Sequence, residues 1–511
     1  MKRTFKYFCM CAAALLAGLT ACTKEEFITD GTNNGGGNEV EGVSTYATFN
    51  FVINGATTRA TNMIDDGSEI DKVKDIRLII FKTGASTACE VNEIYNSNAT
   101  DWDEKKSKTV QLTSGTKRIF VITNTESQAN LIKCLDTTSI VVGKTSLSQF
   151  YDIMYDLGAT NQNKLANIDK LSGLVDKTNG YVMSNTISSK SSFVLRGGVG
   201  LDESRKGKAQ ENNFDIEIQR TVAKASVYYG SASVLETMDK TGTLTDLNFT
   251  FQNVNRSLYM FQKFASDAVD PSASTPRSPY YSLPVATTVA TYDTTYYSDY
   301  NFIKMGEKVD KNFYVTENTS ETPRNATTTY AAIKSVFLPK KGMVVESFVF
   351  NNLLNSFTTV TTSTADATAA KTLYRLVDVG TSTGIAANVF FTDSVIAYKA
   401  AYCIDKKTDV GFDIKNVSGL RWDGSKGYIV SYPGGVSYHR LNIGENNAPN
   451  FIPGIKRNHV YNAKITSFSG IGVPDVKDLN KDPDKPIGQK THVTATISVV
   501  KWVSVNTNHE L

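Results

Sequence analysis

Short runs of alternating apolar and polar residues recur along this chain, and turn-forming residues separate them. The clearest run spans residues 46–54, and its apolar side chains share one face: Ala47, Phe49, Phe51 and Ile53. A period of two is typical of a strand that is buried on one side. Further runs of this type lie at 76–81, 118–123, 223–229, 247–251, 344–350, 389–391, 427–432 and 461–466. Short strands at this spacing predict a mostly all-β protein built from β-sandwich domains.

Few helices are expected beside these strands. The best candidate is residues 146–157, where Leu147, Phe150, Met154 and Leu157 share one face. Ser146 and Gln149 have the spacing of a capping box, which would start the helix. We therefore predict two β-sandwich domains with a few short helices.

The amino terminus predicts export. Lys2, Arg3 and Lys6 precede an apolar stretch at 8–19 that is too short to span a bilayer. The segment 1–22 ends in Leu-Thr-Ala-Cys, which looks like a lipoprotein signal box in which the Cys22 thiol takes the lipid, including palmitate. An ordinary signal peptide with an incidental cysteine is the alternative.

Composition shifts divide the rest of the chain. Residues 28–42 are rich in Gly and Asn, so we expect a flexible tether there, within a propeptide at 23–59. The polar segment 201–213 is expected to separate an N-terminal domain, 60–212, from a C-terminal domain, 213–473. Residues 474–490 contain three of the twelve prolines and eight charged residues, so we expect an extended linker. A strongly alternating segment, 491–511, follows it.

Composition also narrows the function. The net charge is +3 over 511 residues, which argues against nucleic acid as the main partner. The four histidines all lie after residue 438, and no Ser-His-Asp spacing is present, so we expect no enzyme and no cofactor. His439 and His459 are interpreted as structural. Cys89, Cys134 and Cys403 are odd in number and lack C-x-x-C spacing, which indicates buried thiols rather than a disulfide scaffold or a metal site.

Three weak motifs have simpler interpretations. Residues 143–146 (Gly-Lys-Thr-Ser) suggest a phosphate loop, but Thr138 stands where that loop requires Gly. Asp482-Pro483-Asp484 fits a plain linker better than a calcium site. The tyrosines at 280–300 could bind sugars, although sheet or loop packing is the more common role of such residues.

Arg59 differs from these motifs, because a basic residue in a small-residue loop after the 46–54 strand suits an Arg-specific protease. An ordinary loop arginine is the alternative. Cleavage between Arg59 and Ala60 would remove the lipid, the tether and the first strand, here expected at a sheet edge. The last segment has the period to replace it, with these donor residues: Val493, Ala495, Ile497, Val499, Val500, Trp502, Val503 and Val505. Because donor and acceptor lie at different places on one chain, such a contact propagates as a filament.

Several motifs in order resemble one family. They are the signal box ending at Cys22, Thr-Arg-Ala at 58–60, Val-Lys-Asp-Ile-Arg-Leu-Ile-Ile-Phe at 73–81, Phe-Val-Ile-Thr-Asn at 120–124, Val-Met-Ser at 182–184, Gln-Arg-Thr-Val-Ala-Lys at 219–224, Arg-Asn-His-Val-Tyr-Asn at 457–462 and Val-Val-Lys-Trp at 499–502. On these residues the chain resembles the fimbrillins, the shaft subunits of Bacteroidia-type (type V) pili. It is most similar to the structural subunit of the short, or minor, fimbriae.

The resemblance implies a cell-adhesion fimbria on the cell surface. It implies lipoprotein export with a transient outer-membrane anchor, cleavage after Arg59 by an Arg-specific protease, and strand exchange between copies. Tip and anchor pilus subunits would be further partners. The alternative is an anchored surface lipoprotein that binds glycan, or an accessory or tip adhesin. In that protein Arg59 is not cut and the last strand pairs within its own domain.

Overall fold

A computed structural model describes most of the chain after residue 40. The described residues are 41–53, 73–84, 86–96, 107–126, 133–151, 153–156, 174–176, 180–187, 191–208, 211–230, 235–264, 276–279, 296–297, 301–309, 313–351, 353–354, 356–376, 385–386, 388–406, 429–447, 450–480, 484–487 and 493–501. They belong to one compact unit. Among them, no helix is both long and apolar enough to cross a membrane.

The described residues of the first part of the chain are rich in β-strands, and the helices bounded within them are short. Its strands are β1 (Ser44–Ile53), β2 (Asp75–Lys82), β3 (Cys89–Asn96), β4 (Ser107–Thr113), β5 (Gly115–Thr123), β6 (Met154–Asp156), β7 (Val175–Asp176), β8 (Gly180–Tyr181), β9 (Met183–Ser184), β10 (Ser192–Leu195) and β11 (Asn213–Arg220). Its helices are α1 (Leu147–Tyr151) and α2 (Leu201–Ser204). The main sheet has the order β3-β2-β5-β9-β11-β1-β4, and β10 also pairs with β5.

A second group of strands follows Thr221. It comprises β12 (Val222–Tyr228), β13 (Leu235–Glu236), β14 (Gly242–Gln252), β15 (Val254–Asn255), β16 (Ser257–Tyr259), β17 (Lys263–Phe264), β18 (Pro276–Arg277), β19 (Tyr296–Tyr297), β20 (Ile303–Lys304), β21 (Phe313–Thr316) and β22 (Tyr330–Pro339). Because β11 pairs with β1, the chain leaves the first sheet near Thr221. The domain boundary predicted between residues 212 and 213 lies before β11, the last strand of this sheet along the chain.

Residues 344–432 form an insert between two neighbouring strands of the second group. It contains β23 (Val344–Asn351), β24 (Ser356–Thr362), β25 (Leu373–Leu376), β26 (Phe390–Phe391), helix α3 (Ser394–Lys406) and β27 (Ile429–Tyr432). Its sheet has the order β24-β23-β26-β25-β27. Most of its buried residues, among them Phe350, Phe391 and Cys403, form a hydrophobic cluster of their own, whereas Leu373, Phe390 and Tyr432 belong to the main core.

The chain then returns to the second group with β28 (Val436–Asn442), β29 (Gly444–Asn447), β30 (Asn450–Pro453), β31 (His459–Phe468) and β32 (Val493–Lys501). Short 3-10 helices lie at Pro433–Gly435 and Val476–Asn480. One sheet has the order β21-β12-β31-β32 and another the order β13-β14-β22-β28, with β20 also on β14. The mostly β fold is therefore as predicted.

The main core is continuous between the two groups of strands. Phe120 lies 4.6 Å from Phe150 and 5.3 Å from Phe261, measured between ring centroids, and Phe81 lies 4.9 Å from Phe150. Phe261 comes from the second group, whereas the other three rings come from the first. Aromatic packing of this kind couples the two groups, since each ring loses contacts if either moves.

The helix predicted at 146–157 is shorter than expected. Ser146 and Gln149 form the expected capping box, with the Ser146 N–H donating to Gln149 Oε1 at 2.9 Å and the Gln149 N–H to Ser146 Oγ at 3.3 Å. Helix α1 nevertheless ends at Tyr151, and Met154 lies in β6, which pairs with β16. Strand pairing with a distant segment thus overrides the local helical period.

Glu90 and Lys117 give the first sheet a pH-dependent contact. The Lys117 Nζ lies 2.7 Å from Glu90 Oε2, and the Thr113 N–H and hydroxyl also donate to the carboxylate. Burial raises the pKa of Glu90, but these donors together lower it below its ordinary value of 4.5. A depressed native pKa stabilises the fold above the unfolded-state pKa, and that stability is lost as the pH falls through the native value.

We therefore expect Glu90→Gln to flatten the acid side of the stability profile. The variant is less stable than the native protein at neutral pH, and the difference shrinks as the pH falls below 4.5. Urea unfolding at a series of pH values measures it. Glu307→Gln, at an exposed position, is the control for the charge change. A Glu90→Gln difference that is constant with pH would contradict the assignment.

Candidate assembly site

Strand β1 lies inside the first sheet rather than at its edge. It pairs in parallel with β11 on one side and antiparallel with β4 on the other. Side chains reinforce both seams: Asn50 Nδ2 donates to Asn213 Oδ1 at 2.8 Å, and the Thr48 and Thr109 hydroxyls lie 2.8 Å apart. The expectation of an edge strand is wrong, since β4 covers the outer side.

The predicted inward face of β1 is correct. Ala47, Phe49 and Phe51 are buried in the main core, whereas Val52 is exposed. The Phe49 ring stacks on Phe214 of β11, with 6.3 Å between centroids. The side chain of Ile53 lies outside the described residues. Because β1 supplies both backbone pairing and core side chains, its loss would leave an open groove between β11 and β4.

The processing residues cannot be placed. Cys22, Arg59 and Ala60 lie outside the described residues, and β1 ends at Ile53, six residues before Arg59 in sequence. Their lipidation and cleavage stay predictions.

Strand β32 contains the described part of the expected donor segment. It pairs antiparallel with β31 and ends the order β21-β12-β31-β32. Val493 is buried, and the alternate residues Ala495, Ile497 and Val499 pack half-buried against the main core. Thr496 and Ser498 are exposed, as the alternation predicts. Trp502, Val503 and Val505, and the side chain of Val500, lie outside the described residues.

The stretch expected to be an extended linker instead lies against the second group of strands. We call residues 471–480 and 484–487 the strap. Gly472 opens it with φ +82°, where an added Cβ would come within 2.5 Å of the Tyr438 carbonyl oxygen. Val473 and Tyr438 then exchange N–H to carbonyl hydrogen bonds of 2.8 and 2.9 Å. The distal end is held as well, because the Asn325 N–H donates to the Lys485 carbonyl at 3.0 Å.

Arg440 binds the middle of the strap through its guanidinium group. Its Nη1 donates to the Leu479 carbonyl at 3.4 Å, its Nη2 donates to the Asn325 carbonyl at 2.9 Å, and its guanidinium lies 3.7 Å from the centre of the Tyr330 ring. Leu479 itself is buried against Tyr330 and Ala332. Burial lowers the pKa of Arg440 to about 10, so the group is charged at neutral pH.

Several residues of the fimbrillin-like motifs lie close together where the two groups of strands join. Arg220 Nη1 donates to Asn458 Oδ1 at 3.3 Å, Thr221 Oγ1 donates to the Val182 carbonyl at 3.0 Å, and Asn124 Nδ2 donates to the Tyr181 carbonyl at 2.7 Å. The motifs are thus parts of one buried polar joint. Nothing in their spacing reveals this, because the partners are up to 238 residues apart.

Arg457 and Glu317 form a buried ion pair beside this joint. Arg457 Nη2 lies 3.1 Å from Glu317 Oε2, and both side chains are 1% exposed. Arg457 also donates to the carbonyls of Met260 and Tyr259, at 3.2 and 2.7 Å. Because its remaining N–H groups are satisfied, the pair is held in a fixed geometry.

The histidines and cysteines that were interpreted as structural are all at least partly buried. His439 is buried, with Nε2 2.9 Å from the Gly470 carbonyl, and His459 Nδ1 lies 2.7 Å from the Arg457 carbonyl. Cys89 and Cys403 are buried and Cys134 is half-buried. Burial raises the pKa of the Cys89 thiol to about 11, which leaves it unreactive.

The candidate calcium and sugar sites lie mostly outside the described residues. Within the described ranges, no group of three or more His, Cys, Asp or Glu side chains could hold a metal ion. Tyr296 and Tyr297 form β19, which pairs with β15. The other tyrosines of the 280–300 region lie outside the described residues.

The comparisons with known proteins agree with the motif-based resemblance. Residues 430–508 match the family model described as "Major fimbrial subunit protein type IV, Fimbrillin, C-terminal". This carboxy-terminal segment is similar to the fimbrillins. It contains β28 to β32 and the strap, and therefore the whole described part of the expected donor strand.

Solved structures are also similar to the chain. One is a fimbrilin (FimA) of Porphyromonas gingivalis W83, with 13% identity, a TM-score of 0.43, and coverage of 90% of this chain and 98% of that one. Another is described as a cell adhesion protein of Parabacteroides distasonis, with 14% identity, a TM-score of 0.40, and coverage of 91% and 98%. The tip fimbrial protein Mfa3 of Porphyromonas gingivalis gives 11% identity, a TM-score of 0.32, and coverage of 89% and 99%. No curated protein sequence matches.

Proposed function

We propose that this protein is the repeating structural subunit of a cell-surface fimbria that supports adhesion. It is exported as a lipoprotein anchored through Cys22, cleaved after Arg59 by an Arg-specific protease, and joined to its neighbours by strand exchange. The observation that carries the proposal is the match between two strands. The ten-residue β1 lies inside a sheet just before the expected cleavage loop, and the nine-residue β32 has the same alternation at a sheet edge.

Removal of β1 would create a strong binding site for a strand. The facing backbone groups of β11 and β4 would lose their partners, and the cavity left by Phe49 and Phe51 would expose apolar surface. Unpaired strand edges bind other strands through main-chain hydrogen bonds. An inserted strand is paired on both sides, and each large apolar side chain that becomes fully buried contributes about 1.5–3 kcal/mol.

On this proposal, the pairing of β32 with β31 is the arrangement of the subunit before assembly. In this arrangement β32 is paired with one strand, β31, and its other edge forms no ladder with a described strand. Transfer into a groove would give it two neighbours. The exchange therefore increases the backbone pairing of β32. In return, the edge of β31 in the donor subunit loses its partner.

Two variants of the full-length precursor in detergent test this mechanism together. Arg59→Ala keeps β1 and can only donate a strand, whereas a chain with residues 491–511 deleted can only accept one after cleavage. After treatment with an Arg-specific protease, each variant alone should run as a monomer on an unboiled denaturing gel. Mixed, they should give dimers and nothing larger, while the native protein gives a ladder of multiples.

Each component of the mechanism can fail separately in this experiment. A ladder from the deleted chain would overturn the donor assignment, and a ladder from Arg59→Ala would overturn the cleavage trigger. Monomers from the cleaved native protein would favour the other candidate, an anchored lipoprotein with a glycan-binding, accessory or tip role. The pairing of β32 within its own domain is the observation that favours that candidate. Cys22 lipid retained on the mature protein would support it.

A further inference from the structure

We propose that the strap stays bound to its own subunit when β32 leaves, so that the donor strand pivots between Ile487 and Val493. This inference rests on the proposed function, because it concerns how the donor strand is released. The proline- and charge-rich sequence of the strap suggested a free linker. Its contacts instead fix it at three separate points along its length.

The three points of attachment use different chemistry. Near the start, Val473 and Tyr438 form a two-way backbone bridge. In the middle, Leu479 is buried and its carbonyl accepts from the buried Arg440. At the end, Arg324 Nη1 donates to the Asp484 carbonyl at 2.9 Å, and the Ile487 N–H donates to the Pro323 carbonyl at 3.2 Å. Release would break all three and leave the Arg440 guanidinium buried without one of its acceptors.

The acceptor groove is too short to take the strap as well as β32. It is vacated by a ten-residue strand, and the nine residues of β32 already fill that length. The bonds that β32 gives up to β31 are replaced by bonds to β11 and β4. The strap's bonds to residues 323–325 and 438–440 would have no replacement, so the exchange favours leaving the strap in place.

A fixed strap limits the reach of the donor strand. Six residue steps separate Ile487 from Val493, and an extended chain covers about 3.3–3.6 Å per residue, so the donor begins within about 20 Å of the strap's end. Neighbouring subunits must then lie in direct contact, end to end. If the strap were released, the donor would be tethered from residue 471 and could reach much further.

Engineered disulfides in the full-length precursor test which segment moves. Arg324 and Pro486 are partners in an antiparallel bridge, so Arg324→Cys/Pro486→Cys locks the strap's end. Asn462 and Ser498 are register partners of β31 and β32, so Asn462→Cys/Ser498→Cys locks the donor itself. Antiparallel partners have Cα atoms about 4.5–5.5 Å apart, which suits a disulfide. The single-cysteine variants are the controls.

After oxidation and cleavage, the strap-locked protein should give the same ladder as its reduced form. The donor-locked protein should give monomers until reductant restores the ladder. A ladder that the strap lock abolishes and reductant restores would overturn this inference and leave the proposed function intact. A ladder from the oxidised donor-locked protein would overturn strand exchange itself. Tyr438→Cys/Val473→Cys provides a second strap lock if the first pair does not oxidise or fold.

Discussion

Truncation of Phe49 to Ala is expected to lower the free energy of unfolding by about 3–5 kcal/mol, in the range typical of buried Phe to Ala changes. The side chain is 0% exposed and stacks on Phe214, and β1 is held on both sides, so the surrounding sheet cannot close the cavity. Urea unfolding of the uncleaved chain measures the effect. It reports how much β1 contributes to the stability of the first sheet.

Val52 provides a matched control in the same strand. It points away from the core and is 44% exposed, so Val52→Ala should change the free energy by about 0.5 kcal/mol or less. Similar effects for the two variants would mean that β1 adds backbone pairing but no core packing. In that case the groove it leaves would lack the apolar driving force that the proposed exchange requires.

Glu317→Ala should be about as damaging, with an expected loss of about 3–5 kcal/mol. The change removes the carboxylate beside Arg457 while the guanidinium stays buried, and a buried charge without its partner is strongly unfavourable. The backbone N–H and Nε of Arg457 also donate to Glu317, at 3.3 and 3.2 Å, so several donors lose their acceptor together. Thermal and urea unfolding should both register the loss.

An exposed ion pair offers the comparison for this second variant. Glu236 pairs with Lys240 at 3.0 Å and also with Lys340, and the side chains of Glu236, Lys240 and Lys340 are 38%, 70% and 34% exposed. Solvent screens such a pair, so Glu236→Ala should lose about 1 kcal/mol or less. A small effect of Glu317→Ala, equal to that of Glu236→Ala, would mean that water reaches the joint beside Arg457.

Local pattern was sufficient to predict the strands and their inward faces. The alternation of residues 46–54 predicts the burial of Phe49 and Phe51, because side-chain direction along a strand depends only on position. It cannot predict that β1 is an interior strand. Its neighbours β4 and β11 lie about 60 and 165 residues away in sequence, and their pairing depends on the whole fold.

The sequence patterns predicted neither helix α3 nor the packing of the strap against the second group of strands, and the reasons differ. The helix has a readable signal, since the Asp393 carboxylate caps the Val395 N–H at 2.7 Å and Ala397, Ala400 and Cys403 recur on one buried face. The strap has none. Its prolines and charges are those of a linker, and the residues that hold it, such as Tyr438, Arg440 and Arg324, lie on other segments whose sequences give no hint of these contacts.

In the insert at 344–432, the buried residues Val345, Phe350 and Phe357 of β23 and β24 belong to the insert's own hydrophobic cluster, whereas Leu373, Phe390 and Tyr432 belong to the core that contains β1 and β32. At the β23–β24 hairpin, the Asn351 side chain accepts from the Leu353 and Leu354 N–H groups, and the Leu353 side chain is 96% exposed. Substitutions at distant sites that share no partners have additive, independent effects on stability. Under the proposed strand exchange, sequence drift in this hairpin would therefore leave β1 and β32 unaffected, and related subunits could differ in the surface they present while still joining in one filament.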